Sequence, residues 1–138
     1  MYGSLDISTS GMIAQRMRMA AIAANIANSE TILDANGQLN PFRKRMVMFA
    51  PGNPSAATPA GQAMGVHVAS IEADESAIRM RYMPSSPYAD ERGYVPYPDI
   101  SPEIEQINAM QAARSYEANV VAAETTKQMM AQALRLLA

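Results

Sequence analysis

The sequence predicts a mainly α protein in which long N- and C-terminal helices pack as a coiled-coil-like bundle around a small irregular β-containing central region. Three observations predict it. From Ile100 to Ala138 no Gly occurs and no Pro follows Pro102. Near the other end, Leu5, Met12, Met19 and Ile26 recur every seven residues, with Ile22 between the last two. Every remaining Pro lies between residues 32 and 99, among short alternating runs with no heptad. The chain therefore divides into 1–31, 32–99 and 100–138.

The C-terminal helix is predicted over Ile100 to Ala138. Ser101 can cap it, and Pro102 suits a first turn where a missing N–H costs nothing. Glu103 and Glu105 near its start and Lys127 and Arg135 toward its end match the helix dipole. At 1.5 Å per residue the helix runs roughly 50 Å, more than one small domain can cover with its own core. Its apolar stripe passes through Ala109, Ala113, Tyr116, Val120, Ala123, Met130, Leu134 and Leu137, with Lys127 intruding. A sustained stripe on so long a helix predicts a coiled coil or an intermolecular bundle.

The N-terminal helix is predicted over Leu5 to Ser29, with Ser8 or Ser10 as its cap and Gly11 weakening its first turn. The two stripes lie at opposite ends of the chain and each needs cover, so the simplest pairing is with each other. Ala20, Ala23, Ala24, Ala27, Ala109, Ala112 and Ala113 allow close approach. Asn25 and Asn28 are either the ordinary polarity of a helix end or the pins of a tight junction or subunit contact. Arg16 and Arg18 before Met19 to Ala24 superficially resemble a signal peptide, but the apolar run is short and meets Asn25. It reads as the inner face of a helix. No run approaches the 18 or so apolar residues of a membrane span.

In the centre, Asp34, Asn36 and Gly37 predict a turn, and Phe42 to Phe49 a strand. Pro51, Gly52, Pro54, Pro59, Gly61 and Gly65 predict a flexible loop over Ala50 to Gly65, in which modest changes at Ser55 to Thr58 should be tolerated unless the loop contacts a neighbour. Strands follow at Gly65 to Ile71 and Ile78 to Tyr82, with an acidic turn of Glu72, Asp74 and Glu75 between them. A second turn at Asp90 to Gly93 precedes Tyr94 to Tyr97. The Pro content argues against a large sheet.

The 138 residues carry a formal charge of -2 and are 49% hydrophobic but only 6% aromatic. Much of the apolar count is Ala and Met, which leaves a shallow core that a partner could deepen. With no Cys there is no disulfide or thiolate chemistry. The near-neutral charge leaves Arg43, Lys44 and Arg45 as one short basic cluster, so nucleic acid is not an expected partner. His67 is the lone histidine, Asp74 and Glu75 have no base or nucleophile nearby, and no serine sits in a Ser/His/Asp arrangement. No enzyme, metal or cofactor is expected. The Met residues at 12, 17, 19, 129 and 130 read as adaptable helix contacts.

The run LDISTSGMIAQR from Leu5 to Arg16, with NIANSET from Asn25 to Thr31, resembles the N-terminal signature of bacterial flagellar basal-body rod proteins. RSYEAN from Arg114 to Asn119 resembles their C-terminal signature. GVHVASI from Gly65 to Ile71, YADERGYVP from Tyr88 to Pro96 and the short length look most like a proximal member. Ser29 and Glu30 depart from the family's usual pair before the threonine.

The resemblance implies a structural subunit of the proximal rod in the periplasmic space, exported by the flagellar type III system and transmitting motor torque. Implied partners are further copies, other rod proteins, basal-body adaptor proteins and the export apparatus. The expected assembly interface is Leu5, Met12, Met19, Ile22, Asn25, Ile26 and Asn28 on one helix. On the other it is Arg114, Tyr116, Glu117, Asn119, Val120, Met130, Leu134 and Leu137. The competing reading is a secreted coiled-coil adaptor or flagellar export chaperone that holds a client through the central region.

Overall fold

The structure, a computed structural model, describes residues 2–137, the side chains of Tyr2 and Leu137 excepted. The elements in order are α1 (Tyr2–Ala27), β1 (Arg45–Pro51), α2 (Pro59–Met64), β2 (Val66–Ala73), β3 (Ile78–Tyr82), β4 (Tyr94–Pro98) and α3 (Pro102–Leu137). Ala138, the expected last residue of the C-terminal helix, lies outside the described residues. The terminal helices pack together, and the central region is two separate two-stranded antiparallel sheets, β1 with β2 and β3 with β4.

α1 and α3 run antiparallel. Arg18 meets Gln111, Asn25 meets Glu105, and Gly11 lies against Asn119. On α3 the covered positions include Glu105, Ala109, Ala112, Tyr116, Asn119, Ala123, Thr126, Met130 and Ala133, spaced alternately by four and three, with Asn108, Ala113, Ser115 and Val120 half-buried beside them. On α1 a set with the same spacing is Ile7, Gly11, Ala14, Arg18, Ala21 and Asn25, and Ser8, Ser10 and Ile22 are buried beside it. The sevenfold repeat expected on α1 is present, but its centre is displaced by one residue. Leu5, Met12, Met19 and Ile26 flank the seam half-buried, and Gly11, Arg18 and Asn25 sit in it. Small and polar side chains occupy the axis because the helices approach too closely for large ones there.

Gly11 marks that approach. A Cβ on it would stand 2.9 Å from both amide atoms of Asn119, whose Nδ2 also donates to the Ser115 carbonyl at 2.8 Å. The glycine is therefore a packing position in mid-helix and not a weak first turn. Ser8 and Ser10 are likewise buried inside α1 and cap nothing. Ser10 Oγ donates to the Ile7 carbonyl and accepts from Val66 N–H, tying the start of β2 to the helix. At α3, the Ser101 carbonyl accepts the Glu105 N–H at 3.0 Å, as an N-cap residue's does, while its hydroxyl donates to the Glu103 carboxylate.

The antiparallel register has a consequence at the far end. α1 runs out roughly two and a half turns before α3 does. Leu134, expected in the core, is 66% exposed and Leu136 is 89% exposed on that overhang. The apolar stripe continues there because of sequence, but no element of this chain reaches it among the described residues.

The expected flexible loop is instead pinned. Thr58 caps α2 by accepting the Gly61 N–H and donates its own hydroxyl hydrogen to Asp6 on α1 at 2.6 Å. A Cβ on Gly61 would press on Asp6 and Ala56, so the loop's glycines serve contact with α1 as much as flexibility. Sequence reading missed this because its anchors are a threonine and glycines. The remaining turns follow expectation: Asp74 accepts from Ser76, and Asp90 accepts from Arg92 and Tyr94 with Gly93 at φ 81°. The expected strand at Phe42 begins three residues later, at Arg45.

Gly11→Val should destabilise the purified chain by about 1–3 kcal/mol, the usual cost of overpacking. Asn119→Ala in the same chain should recover part of that loss. Urea denaturation of the four members of the cycle measures the coupling.

Candidate assembly interface and its polar junction

The most constrained site in the molecule is polar. Asn25, in the last turns of α1, and Glu105, in the first turns of α3, are each only 1% exposed. Asn25 Nδ2 donates to Glu105 Oε2 at 3.0 Å and to the Arg45 carbonyl at 2.9 Å, and its Oδ1 accepts the Arg45 N–H at 2.8 Å. The amide thus pairs with the first residue of β1 as a neighbouring strand would. Lys44 Nζ reaches Glu105 Oε1 at 3.0 Å, and Asn108 Nδ2 donates to the same oxygen at 3.3 Å. Four side chains from three parts of the sequence satisfy one another in the dry angle between both helices and β1.

Burial raises the Glu105 pKa, but the Asn25 amide, the Lys44 ammonium and the Asn108 amide outweigh it. They hold the carboxyl below its ordinary value of 4.5. Glu105 was expected only to complement the helix dipole; its burial is set by tertiary contact. Lys44, read as part of a surface basic cluster, supplies the counter-charge.

Asn28 has the local role. Its Nδ2 donates to the Ala24 carbonyl at 2.8 Å and its Oδ1 accepts from Thr31 Oγ1 at 3.3 Å, closing α1 where the chain leaves the helix. Of the two readings open for the asparagines, Asn25 fits the junction and Asn28 the helix end.

The other expected residues divide by exposure. Ile22 is buried, and Tyr116, Asn119, Val120 and Met130 are half-buried on the α1 side of α3. Arg114 and Glu117 are exposed. The side chain of Leu137 lies outside the described residues. Sequence reading did not single out Ile107, Met110 and Val121, all large, apolar and exposed. Each stands two residues from a seam position, hence roughly 200° round the helix from it. α3 therefore also exposes large apolar side chains on the side turned away from α1, where Arg114 and Glu117 stand among them. A hydropathy pattern centred on one stripe hides them.

His67 has a structural contact: its Nδ1 lies 2.7 Å from the Gly52 carbonyl, which can only accept, so Nδ1 carries the hydrogen. Among the described residues no group of three or more His, Cys, Asp or Glu side chains is placed to hold a metal ion. No described helix is long and apolar enough to cross a membrane.

Comparison with known proteins meets this geometry at both helices. Residues 5–31 match the model of the flagella basal body rod protein family, and residues 91–136 match that of the flagellar basal body rod FlgEFG protein C-terminal region. The chain is 34% identical to the flagellar basal-body rod protein FlgC of Bacillus subtilis, over 98% of this chain and 97% of that one. It is 37% identical to the protein of that name from Yersinia enterocolitica and 36% to that from Salmonella typhimurium. Each of those matches covers 95% of this chain and 93% of the relative. The chain belongs to the flagellar basal-body rod protein family. The first matched segment ends four residues past α1 and contains Asn25 and Asn28; the second contains β4 and all but the last residue of α3, with Glu105.

Glu105→Gln should cost on the order of 2 kcal/mol at neutral pH, because Lys44 loses its counter-charge in a mostly buried site. A carboxyl whose pKa is lowered by folding contributes fully above its unfolded value and loses that contribution as pH falls through the lower folded one. The gap between wild type and variant should therefore narrow below about pH 4.5. Urea midpoints from pH 7 down to about pH 3 measure it.

Proposed function

We propose that this chain is a non-enzymatic structural subunit of the flagellar basal-body rod, at its proximal end. It assembles through its terminal helices into the shaft that carries torque toward the hook and filament. The family supports the rod, and one physical observation supports assembly. The isolated chain exposes 9093 Å². A compact monomer of 14.9 kDa exposes only about 7,000 Å². The excess is comparable to the area buried in a standard protein–protein interface.

Where that excess lies fits a rod. Ile107, Met110 and Val121 are exposed on the outward side of α3, and Leu134 and Leu136 extend past α1 with no cover among the described residues. Residues 1–31 and 100–138 form the shaft-facing part in this reading, joined by coiled-coil-like seams, and 32–99 form lateral contacts. Expected neighbours are further copies, other rod proteins and basal-body adaptor proteins, reached after passage through the flagellar type III export apparatus into the periplasmic space. Many shallow helix contacts share an axial or torsional load, and a heterologous interface repeats without closing.

The test separates assembly from folding. Val121→Asp, on the outward side, should change the stability of the purified chain by less than about 0.5 kcal/mol yet remove it from isolated basal bodies and abolish swimming. Val120→Asp, beside the α1 seam, should lower stability as well, because a charge enters a partly dry contact. Normal recovery of Val121→Asp in basal bodies with unchanged motility would overturn the assignment of that side.

A further inference from the structure

Four strand edges face away from the two small sheets, and they are treated differently. On β1 the outward N–H and C=O of Arg45 are taken by the Asn25 side chain. On β4 the outward groups of Tyr94 are taken by Asp90, and the next outward positions are Pro96 and Pro98, which have no N–H. The start of β2 is taken at Val66 by Ser10.

β3 has no such protection among the described residues. The bonds from Met83 N–H to the Gly93 carbonyl and from Asp99 N–H to the Ala77 carbonyl fix which backbone groups face β4. Those of Arg79 and Arg81 point inward to it, so those of Met80 and Tyr82 point out. A second open stretch lies at the end of β2, where the bond from Asp74 N–H to the Lys44 carbonyl leaves Ile71 and Ala73 pointing out.

These two edges are complementary. Laid antiparallel with Met80 opposite Ala73, they place Arg81 opposite Glu72, Tyr82 opposite Ile71 and Arg79 opposite Asp74. That register gives two opposite-charge pairs and one aromatic–β-branched pair, the cross-strand combinations that stabilise sheets. Shifting it by two residues in one direction runs into the irregularity of β2 between Ser70 and Val68, puts Arg81 opposite Ser70 and leaves Arg79 opposite Glu72 as the one charge pair. Tyr82 is 63% and Ile71 49% exposed. Arg81 lies over the Tyr97 ring with one guanidinium nitrogen 4.0 Å from the exposed Glu30 carboxylate, and its side chain is half exposed, so Glu72 of the second copy would compete with a weak surface ion pair.

We propose that the β3 edge of one copy adds to the β2 edge of a second copy, in this register, as an intersubunit strand pair. One surface meets a different surface, so the contact propagates from copy to copy and does not close on itself. It deepens the rod reading by naming a lateral contact within the central region, separate from the helix contacts.

The chain has no Cys of its own, which makes the test direct. Tyr82→Cys and Ile71→Cys full-length chains, produced together in flagellated cells, should form a disulfide-linked heterodimer when isolated basal bodies are oxidised. Neither variant alone should. Both chains present in the basal bodies without a dimer overturns the contact while leaving the rod reading intact. A dimer from Tyr82→Cys alone shows β3 against β3 and overturns the register, and a cross-link to another rod protein's cysteine overturns the second-copy assignment. Arg81→Glu and Glu72→Arg should each lower recovery in basal bodies about tenfold, and the two combined in one chain should restore it. Unchanged thermal midpoints of the purified variants exclude misfolding, and failure of the double reversal to restore recovery overturns the pairing. If the unmodified chain is missing from basal bodies, the rod reading fails by itself; the same cross-link on purified chains then decides this contact alone.

Discussion

A carboxylate held away from water between two helices and a strand is the constraint on which the rest of this structure depends. Glu105 is 1% exposed, and an ion so placed is tolerable only if its oxygens are met by fixed donors. Asn25 from α1, Lys44 from the approach to β1 and Asn108 one turn along α3 meet them. Because Asn25 also holds both backbone groups of Arg45, the helix register and the position of β1 cannot change independently. A slip of α1 along α3 by one turn would part Asn25 from Glu105.

That single node explains why so shallow an apolar core can still define one arrangement. The seam between the helices is lined by Gly11, Ala14, Ala21, Ala112 and Ala123, which bury little area each, and the largest fully buried side chains include the polar Glu105 and Asn25 beside Ile100, Val95 and Pro98. Small residues permit many registers, whereas a buried hydrogen-bonded set permits one. Specificity and bulk stability are thus supplied by different residues. Bulk is left outside, on the outward side of α3 and on its overhang, where in the proposed rod it becomes an interface.

The strand edges repeat the same economy of polar groups. Asn25 takes the outward groups of Arg45 on β1 and Ser10 that of Val66 on β2, while on β4 Asp90 takes those of Tyr94 and Pro96 and Pro98 lack a donor. Unpaired edges then stand out at Met80 and Tyr82 and at Ile71 and Ala73.

The sequence by itself determined the long terminal helices, the sevenfold repeat, the small strands with their Asp-initiated turns, and membership of the rod family. All are local or periodic properties of the chain, and periodicity needs no knowledge of what lies opposite. The tertiary structure alone decided the phase of the seam, the burial of Glu105, the pinning of the loop by Thr58 and Asp6, and the overhang of α3. Each depends on residues far apart in sequence meeting at one distance, from 52 positions for Asp6 and Thr58 to 80 for Asn25 and Glu105 and further for Gly11 and Asn119. A glutamate in a first turn looks the same on paper whether it faces water or an asparagine 80 residues away; only the approach of two helices close enough to demand Gly11 puts it in the dark.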